Sequence, residues 1–139
     1  MADDMIATLR AVPLFSSLSD KDLRAILEIS KEVSLEAGHR IVEQDQSAVG
    51  FHLILEGQAD IEVNGRNVAT FGPGDYFGEV SLIDGKPRTA SVTATTALHT
   101  LVIPSWSFNG LLDRYPAIAK ELLLMFCARL RTVEALITA

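Results

Sequence analysis

The sequence predicts a mainly β fold of the barrel or jelly-roll type, with helices before and after it. Residues 33–103 divide into many short segments in which apolar and polar residues alternate, and turn residues separate these segments. The chain before residue 31 and after Pro104 shows instead the three- and four-residue apolar spacing of helices. With 139 residues, of which 48% are hydrophobic, the chain is expected to form a single domain over residues 1–139.

The composition argues against several classes of protein. Lys and Arg number 12 and Asp and Glu 18, and the resulting net charge of −6 argues against a nucleic-acid binder. Because Cys127 is the one cysteine, an intramolecular disulfide and a Cys-rich metal site are excluded. The N-terminus lacks the features of a signal peptide, and no stretch reaches the roughly 18 apolar residues of a membrane span. We therefore expect a cytoplasmic protein without a membrane partner.

The first segment, residues 1–31, is predicted to be helical. Ile6, Leu9 and Val12 recur at helical spacing before a proline interrupts the pattern. Ser19 is a suitable N-cap, and acidic residues follow it where the helix dipole favours negative charge. A second helix is therefore predicted over about Asp20–Ser30.

The middle segment, residues 33–103, is predicted to form the β structure. Asn64-Gly65 is the strongest short hairpin signal in the chain, and a turn is predicted at Gly72–Asp75. The predicted strands are Val33–Glu36, Arg40–Glu43, Phe51–Glu56, Gln58–Val63, Val68–Phe71, Ala90–Ala94 and Leu98–Ile103.

The last segment, residues 105–139, returns to the helical period. Ser105 is predicted to begin a short helix that ends near Arg114, with Trp106 and Phe108 as its packing residues. A long helix is predicted from Ala117 to about Ile137. It carries a seam of apolar residues at alternating steps of three and four, Leu123, Phe126, Leu130, Val133 and Ile137. This seam is expected either to dock on the barrel or to pair with another chain.

The segment with the most chemical information is 77–90, which lies between two predicted strands. Gly78 allows the backbone to approach a ligand closely, and Glu79–Leu82 is long enough for one helical turn. Arg88 adds a permanent planar cation suited to phosphate oxygens, and Thr89 adds a hydroxyl beside it. Glu79 is an acceptor suited to a sugar hydroxyl. The segment therefore offers groups for a phosphate and a sugar together.

The residues Gly78–Leu82, followed by Pro87–Ala90, resemble the phosphate-binding cassette of cyclic nucleotide-binding domains. That family includes bacterial catabolite activator proteins and the regulatory subunits of protein kinase A. The resemblance implies a double-stranded β-helix, also described as a jelly roll or cupin-like barrel. It also implies N-terminal helices, a short cassette helix and two C-terminal helices, of which the last is long.

The resemblance implies a role for each cassette residue. Arg88 would pair with the cyclic phosphate, and Glu79 would accept a hydrogen bond from the ribose 2′-OH. The backbone of Gly78, Val80 and Ser81 would contact the ribose or the phosphate. The hydroxyl of Thr89 would bond the phosphate. The long helix would close over the base, with three candidate residues chosen by position, Arg129, Thr132 and Val133. The expected ligand is cAMP, with cGMP as the alternative.

The predicted function is that of a sensor or regulatory domain without catalytic residues. No nucleophile–base set is present, and His39, His52 and His99 lack the spacing of metal ligands, so no metal or catalytic cofactor is expected. The partners would be a homodimer mate on the long helix and an effector protein. Alternatives are a dimerisation module that has lost its ligand, or an enzyme on a cupin-like barrel. The chain is expected to be a stand-alone domain without a DNA-binding domain, or one excised from a channel, transporter or transcription regulator.

Overall fold

The computed structural model describes residues 2–42, 44 and 50–138. The chain divides into two compact units. One unit comprises residues 25–109 and contains every strand of the described residues, and the other comprises residues 1–24 and 110–139, whose described elements are helices. The expectation of a single domain over residues 1–139 therefore stays a prediction.

The β unit contains two four-stranded antiparallel sheets. The strand order is β1-β8-β3-β6 in one sheet and β2-β7-β4-β5 in the other. This arrangement confirms the mainly β class expected from the alternating segments. The strands are β1 (Lys31–Leu35), β2 (Arg40–Val42), β3 (Gly50–Glu56), β4 (Ala59–Val63), β5 (Arg66–Phe71), β6 (Tyr76–Phe77), β7 (Ser91–Ala94) and β8 (Leu98–Pro104).

The core of the β unit is built from residues that alternate along the strands. In β3, Ile54 contributes to this core, while Phe51 lies on the opposite face and packs against Tyr76 with the two rings tilted by 35°. The hairpin between β4 and β5 turns at Asn64 and Gly65, which both have positive φ, as predicted. The core cluster consists of eight buried residues, Val42, Ile54, Ala59, Ile61, Phe77, Val92, Ala94 and Leu98.

The described part of the chain also contains five helices: α1 (Ala2–Arg10), α2 (Asp20–Ile29), α3 (Glu79–Asp84), α4 (Ser105–Arg114) and α5 (Pro116–Thr138). The predicted cap of α2 is present, because the backbone N–H of Asp22 donates to Ser19 Oγ at 3.1 Å. Within the helical unit, Arg10 pairs with Asp20 and donates to the carbonyl of Leu18. The apolar residues predicted for the first helix, among them Ile6 and Leu9, are buried.

Some boundaries differ from the sequence prediction. β6 was not predicted as a strand, since two residues are too few to show a period. β2 ends at Val42, and the predicted end at Glu43 lies outside the described residues. The prediction that Trp106 packs is wrong, because its side chain is 83% exposed while Phe108 is buried. Positions two apart on a helix point in nearly opposite directions, so both side chains cannot face the same neighbour.

The second half of α5 is exposed. From Cys127 to Ile137 every residue lies at the surface, and the apolar side chains include Leu130 and Val133. Cys127 is therefore not a core residue. Among the described residues, no helix combines the length and apolarity that crossing a bilayer requires.

Candidate ligand-binding site

The cassette begins where β6 ends. Gly78 precedes α3 with φ of 99°, and Gly85 follows it with φ of 71°. Both values lie in the left-handed region that glycine adopts at little cost. The N–H of Gly85 donates to the carbonyl of Ser81 at 3.0 Å, which closes the helix after six residues. Two glycines thus fix a short helix at one end of the strands.

Gly78 also has a packing reason to be glycine. A Cβ at this position would lie 2.5 Å from the carbonyl oxygen of Gly50 and 2.7 Å from Nη1 of Arg88. The Nη2 of Arg88 donates to the same Gly50 oxygen at 3.0 Å. The start of β3, the entry to α3 and the guanidinium of Arg88 therefore meet in one tight contact.

Arg88 is a buried cation, with only 5% of the residue exposed. Burial lowers the pKa of its guanidinium, while the charge of Glu79 raises that pKa. Arginine nevertheless stays protonated in proteins. Among the described residues, the five N–H donors of Arg88 make one hydrogen bond, the one to Gly50. A buried guanidinium with further donors to offer is suited to a phosphate group.

Glu79 is the second buried charge of the cassette, with 2% of the residue exposed. Its electrostatic effect on Arg88 shows that the two charges are close enough to interact. The site therefore combines an acceptor carboxylate with a donor guanidinium. A ligand that carries both an anion and a hydroxyl group would match this pair.

The other cassette residues differ in their exposure. Ser81 is buried on α3, whereas the side chains of Val80 and Thr89 are exposed. Backbone contacts at Gly78, Val80 and Ser81 remain compatible with these positions. The predicted roles of these residues, and of the Thr89 hydroxyl, stay predictions.

His52 lies on β3 two residues after Gly50, whose carbonyl accepts the hydrogen bond from Arg88. Its ring stacks on Phe77 with 4.8 Å between ring centroids and an interplanar angle of 10°. Burial, and then the positive charge of Arg88, lower the pKa of His52 to about 4. The imidazole is therefore neutral near pH 7.

The cassette helix is attached to the start of α4. Asn109 Nδ2 donates to the carbonyl of Leu82 on α3 at 3.1 Å. Phe108 stacks on Phe51 of β3 with 5.2 Å between ring centroids and an interplanar angle of 17°. The first half of α4 therefore contacts both the cassette and the strand whose first carbonyl holds Arg88.

The three residues predicted to contact a base, Arg129, Thr132 and Val133, are exposed on α5 in the helical unit. Thr132 Oγ1 donates to the carbonyl of Ala128 one turn earlier. Their contribution to the site stays a prediction.

The chain as described contains no group of three His, Cys, Asp or Glu residues placed to hold a metal ion. His99 takes part in a different contact, between Ser34 and Glu32 on the neighbouring strand β1. The buried charged groups of the cassette are a guanidinium and a carboxylate.

Sequence reasoning missed three residues of the site. Gly50 acts through its backbone carbonyl, which has no signature in the residue type. His52 lacks the spacing of a metal ligand, and its two-residue spacing from Ile54, a core residue, is the signal that places it on the core face of β3. Asn109 lies on a helix face where an amide is unremarkable.

The site and the fold together define a small two-sheet β unit that buries a guanidinium and a carboxylate. The family model described as Cyclic nucleotide-binding domain matches residues 32–115, more than half of the chain. The chain therefore belongs to the cyclic nucleotide-binding domain family, as its cassette indicated.

Individual relatives agree with this assignment. The cAMP-dependent protein kinase regulatory subunit of Eremothecium gossypii is 36% identical over 105 residues, which is 75% of this chain and 23% of that protein. The chain thus spans about a quarter of the length of the first curated relatives it matches.

Two solved structures are similar at the level of the fold. The Thermus thermophilus catabolite activator protein has a TM-score of 0.82 and 27% identity, covering 91% of this chain and 62% of that one. The regulatory domain of Toxoplasma gondii PKA with cAMP has a TM-score of 0.72 and 28% identity, covering 79% of this chain and 44% of that one. These similarities confirm the double-stranded β-helix with flanking helices.

Proposed function

We propose that this domain is a non-catalytic sensor that binds cAMP at the cassette and passes the binding event to its C-terminal helices. The observation that carries the proposal is the buried guanidinium of Arg88, held on the carbonyl of Gly50 beside the buried carboxylate of Glu79. Burying a charge is costly unless a partner compensates it. An anionic ligand supplies such compensation for Arg88.

In the proposed complex, Arg88 donates to the cyclic phosphate and Glu79 accepts from the ribose 2′-OH. The glycine at position 78 lets the ligand phosphate approach the backbone, as it already lets Arg88 approach Gly50. Backbone groups of Val80 and Ser81, and the hydroxyl of Thr89, complete the contacts. The bases of both cyclic nucleotides would meet Arg129, Thr132 or Val133 on α5.

We favour cAMP over cGMP for the ligand. The relatives named above include a cAMP-dependent kinase subunit and a regulatory domain whose structure contains cAMP. The contacts of the cassette are to the phosphate and the sugar, which the two nucleotides share, so cGMP is the alternative that the binding test includes.

The test is isothermal titration of the full 139-residue chain with cAMP, cGMP and AMP. We expect binding of a cyclic nucleotide and none of AMP, and Arg88→Ala should weaken binding at least about 100-fold through loss of a buried charged hydrogen bond. The matched control is Arg66→Ala, because Arg66 is exposed on β5. Equal affinity of wild type and Arg88→Ala would refute the site. Formation of AMP during incubation would refute a non-catalytic role.

We further propose that α4 receives the signal first. Ordering of the cassette around a ligand changes the position of α3, and α3 holds α4 through the Asn109–Leu82 hydrogen bond. Phe108 anchors the same helix on β3. Ligand binding can shift such an equilibrium only by the difference in affinity for the two states.

The output is proposed to include a homodimer formed by α5. The exposed apolar residues on this helix continue the seam of the sequence at Leu123, Leu130, Val133 and Ile137. If these residues occupy the a and d positions of a heptad, Arg129 falls at g and Glu134 at the e position five residues later. In a parallel pair of helices, g and following e′ positions meet, so each Arg129 would face a Glu134 of the other copy.

The dimer is tested by light scattering coupled to size exclusion. Leu130→Glu should shift a dimer to monomer, and Trp106→Glu, another exposed apolar position, should leave the mass unchanged. A monomeric wild type at all concentrations would refute the dimer without affecting the binding site. The effector of such a dimer would be another protein.

A further inference from the structure

The imidazole of His52 is a polar group on the core side of its sheet. His52 and Phe77 are paired residues of neighbouring strands, and Phe77 belongs to the core cluster, so the stacked imidazole also faces the inside of the barrel. Its Nδ1 is buried and has no hydrogen-bond partner among the described residues. Buried polar atoms of this kind are rare in native proteins and point to a further interaction.

The contacts around this imidazole lead to the anion site. Gly50, two residues earlier on the same strand, accepts the hydrogen bond from Arg88. Phe77, on which the ring stacks, is followed directly by Gly78, where a Cβ would lie 2.7 Å from Nη1 of Arg88. Gly50 on the same strand and Gly78 after Phe77 thus link His52 to Arg88. Burial, and then the charge of Arg88, lower the pKa of His52.

The other ionisable groups on the surrounding elements do not share this position. On β8, His52 is paired with Val102, which cannot titrate, and His99 lies at the far end opposite Glu56. On β6, Tyr76 contacts Phe51 on the opposite face of the sheet. In the cassette, the negative charge of Glu79 interacts with the guanidinium of Arg88 and favours its charged form. Arg88 is therefore the charge that opposes protonation of His52.

We propose that His52 forms part of the wall of the phosphate site and takes up a proton when a cyclic phosphodiester binds to Arg88. The proposal rests on the proposed function. In the free protein, a proton on His52 would add a second positive charge to a buried region where the charge of Arg88 already acts on the imidazole. A bound phosphodiester brings a negative charge that offsets the charge of Arg88, so the proton moves from solvent to the imidazole. Affinity for the nucleotide should therefore increase as the pH falls.

The size of the effect follows from the charge that the ligand adds. A neighbouring opposite charge raises a pKa by about 1–3 units. With a rise of about 1.5 units on binding, cAMP should bind about fourfold more tightly at pH 5 than at pH 7, with uptake of about half a proton near pH 5.5.

The experiment is a titration of cAMP into the whole chain from pH 7.5 to pH 5, repeated in two buffers that differ in ionisation enthalpy. We expect tighter binding and proton uptake on acidification for wild type, and loss of both for His52→Phe, which keeps an aromatic ring on Phe77, and for His52→Gln. The matched control His39→Phe should behave as wild type, because His39 is exposed before β2.

The outcomes separate this inference from the proposed function. Binding of cAMP by wild type without proton uptake, or with the same uptake in both His52 variants, would overturn the role of His52 and leave the cyclic nucleotide site intact. Lack of binding by wild type at every pH would overturn the proposed function and, with it, this inference.

Discussion

Acidification of the ligand-free protein should expose the cost of burying His52. The folded state lowers the pKa of this side chain from 6.5 to about 4, chiefly by burial and then by the charge of Arg88. Between these two values the unfolded chain binds a proton on His52 and the folded chain does not. The free energy of unfolding therefore decreases as the pH falls through this window, and the loss is complete below the folded value.

The magnitude follows from the difference between the two pKa values. Each pKa unit corresponds to about 1.4 kcal/mol, so a difference of about 2.5 units gives about 3 kcal/mol of stability. A domain of this size has a total stability of about 5–15 kcal/mol. The contribution of this one imidazole is therefore large enough to measure.

The assay is urea unfolding followed by far-ultraviolet circular dichroism, at pH steps from 7.5 to 4. We expect wild type to lose about 3 kcal/mol more than His52→Phe over this range, because phenylalanine keeps the stacking on Phe77 but binds no proton. His39→Phe, at an exposed site, should follow wild type. Parallel curves for wild type and His52→Phe would show that the buried imidazole is not the source of the acid sensitivity, and the reasoning would be wrong.

Three further predictions concern the site. Gly78→Ala should weaken cAMP binding at least about 10-fold, because the new Cβ would lie 2.7 Å from Nη1 of Arg88. Gly74→Ala is the control, since Gly74 has a similar φ but no atom near its Cβ position, and it should keep the wild-type affinity. Equal losses of affinity in the two variants would contradict the packing argument. Arg88→Lys should bind cAMP about 10- to 100-fold more weakly than wild type, since an ammonium lacks the planar fork; wild-type affinity in calorimetry would disprove this. Asn109→Ala should bind cAMP normally but lose ligand-induced protection of α4 from hydrogen exchange; unchanged protection would exclude the contact to Leu82 as the link.

Much of the fold was predictable because local patterns determine it. The Asn64-Gly65 hairpin, the Ser19 cap and the alternation along β4 each depend on a few neighbouring residues. Elements that depend on distant contacts were harder. β6 is a strand only because it pairs with β3, and two residues show no period of their own.

The site was predictable where the chemistry depends on the type of side chain. Gly78, Glu79 and Arg88 are distinctive at their spacing, and the structure brings them together. The carbonyl that orients the guanidinium could not be predicted, since every residue has one. The role of His52 depends on Phe77, which lies 25 positions later in the chain, and no local pattern connects the two.

The two buried charges of the cassette have a consequence for how this sequence can change over time. Because the charge of Glu79 favours the charged form of the buried Arg88, a chain that keeps Arg88 but loses Glu79 buries a guanidinium without that compensation. Drift away from ligand binding should therefore rarely begin at Glu79. A descendant that retains Arg88 without Glu79 should be rare, and joint loss of the two would mark a lineage that has abandoned the ligand.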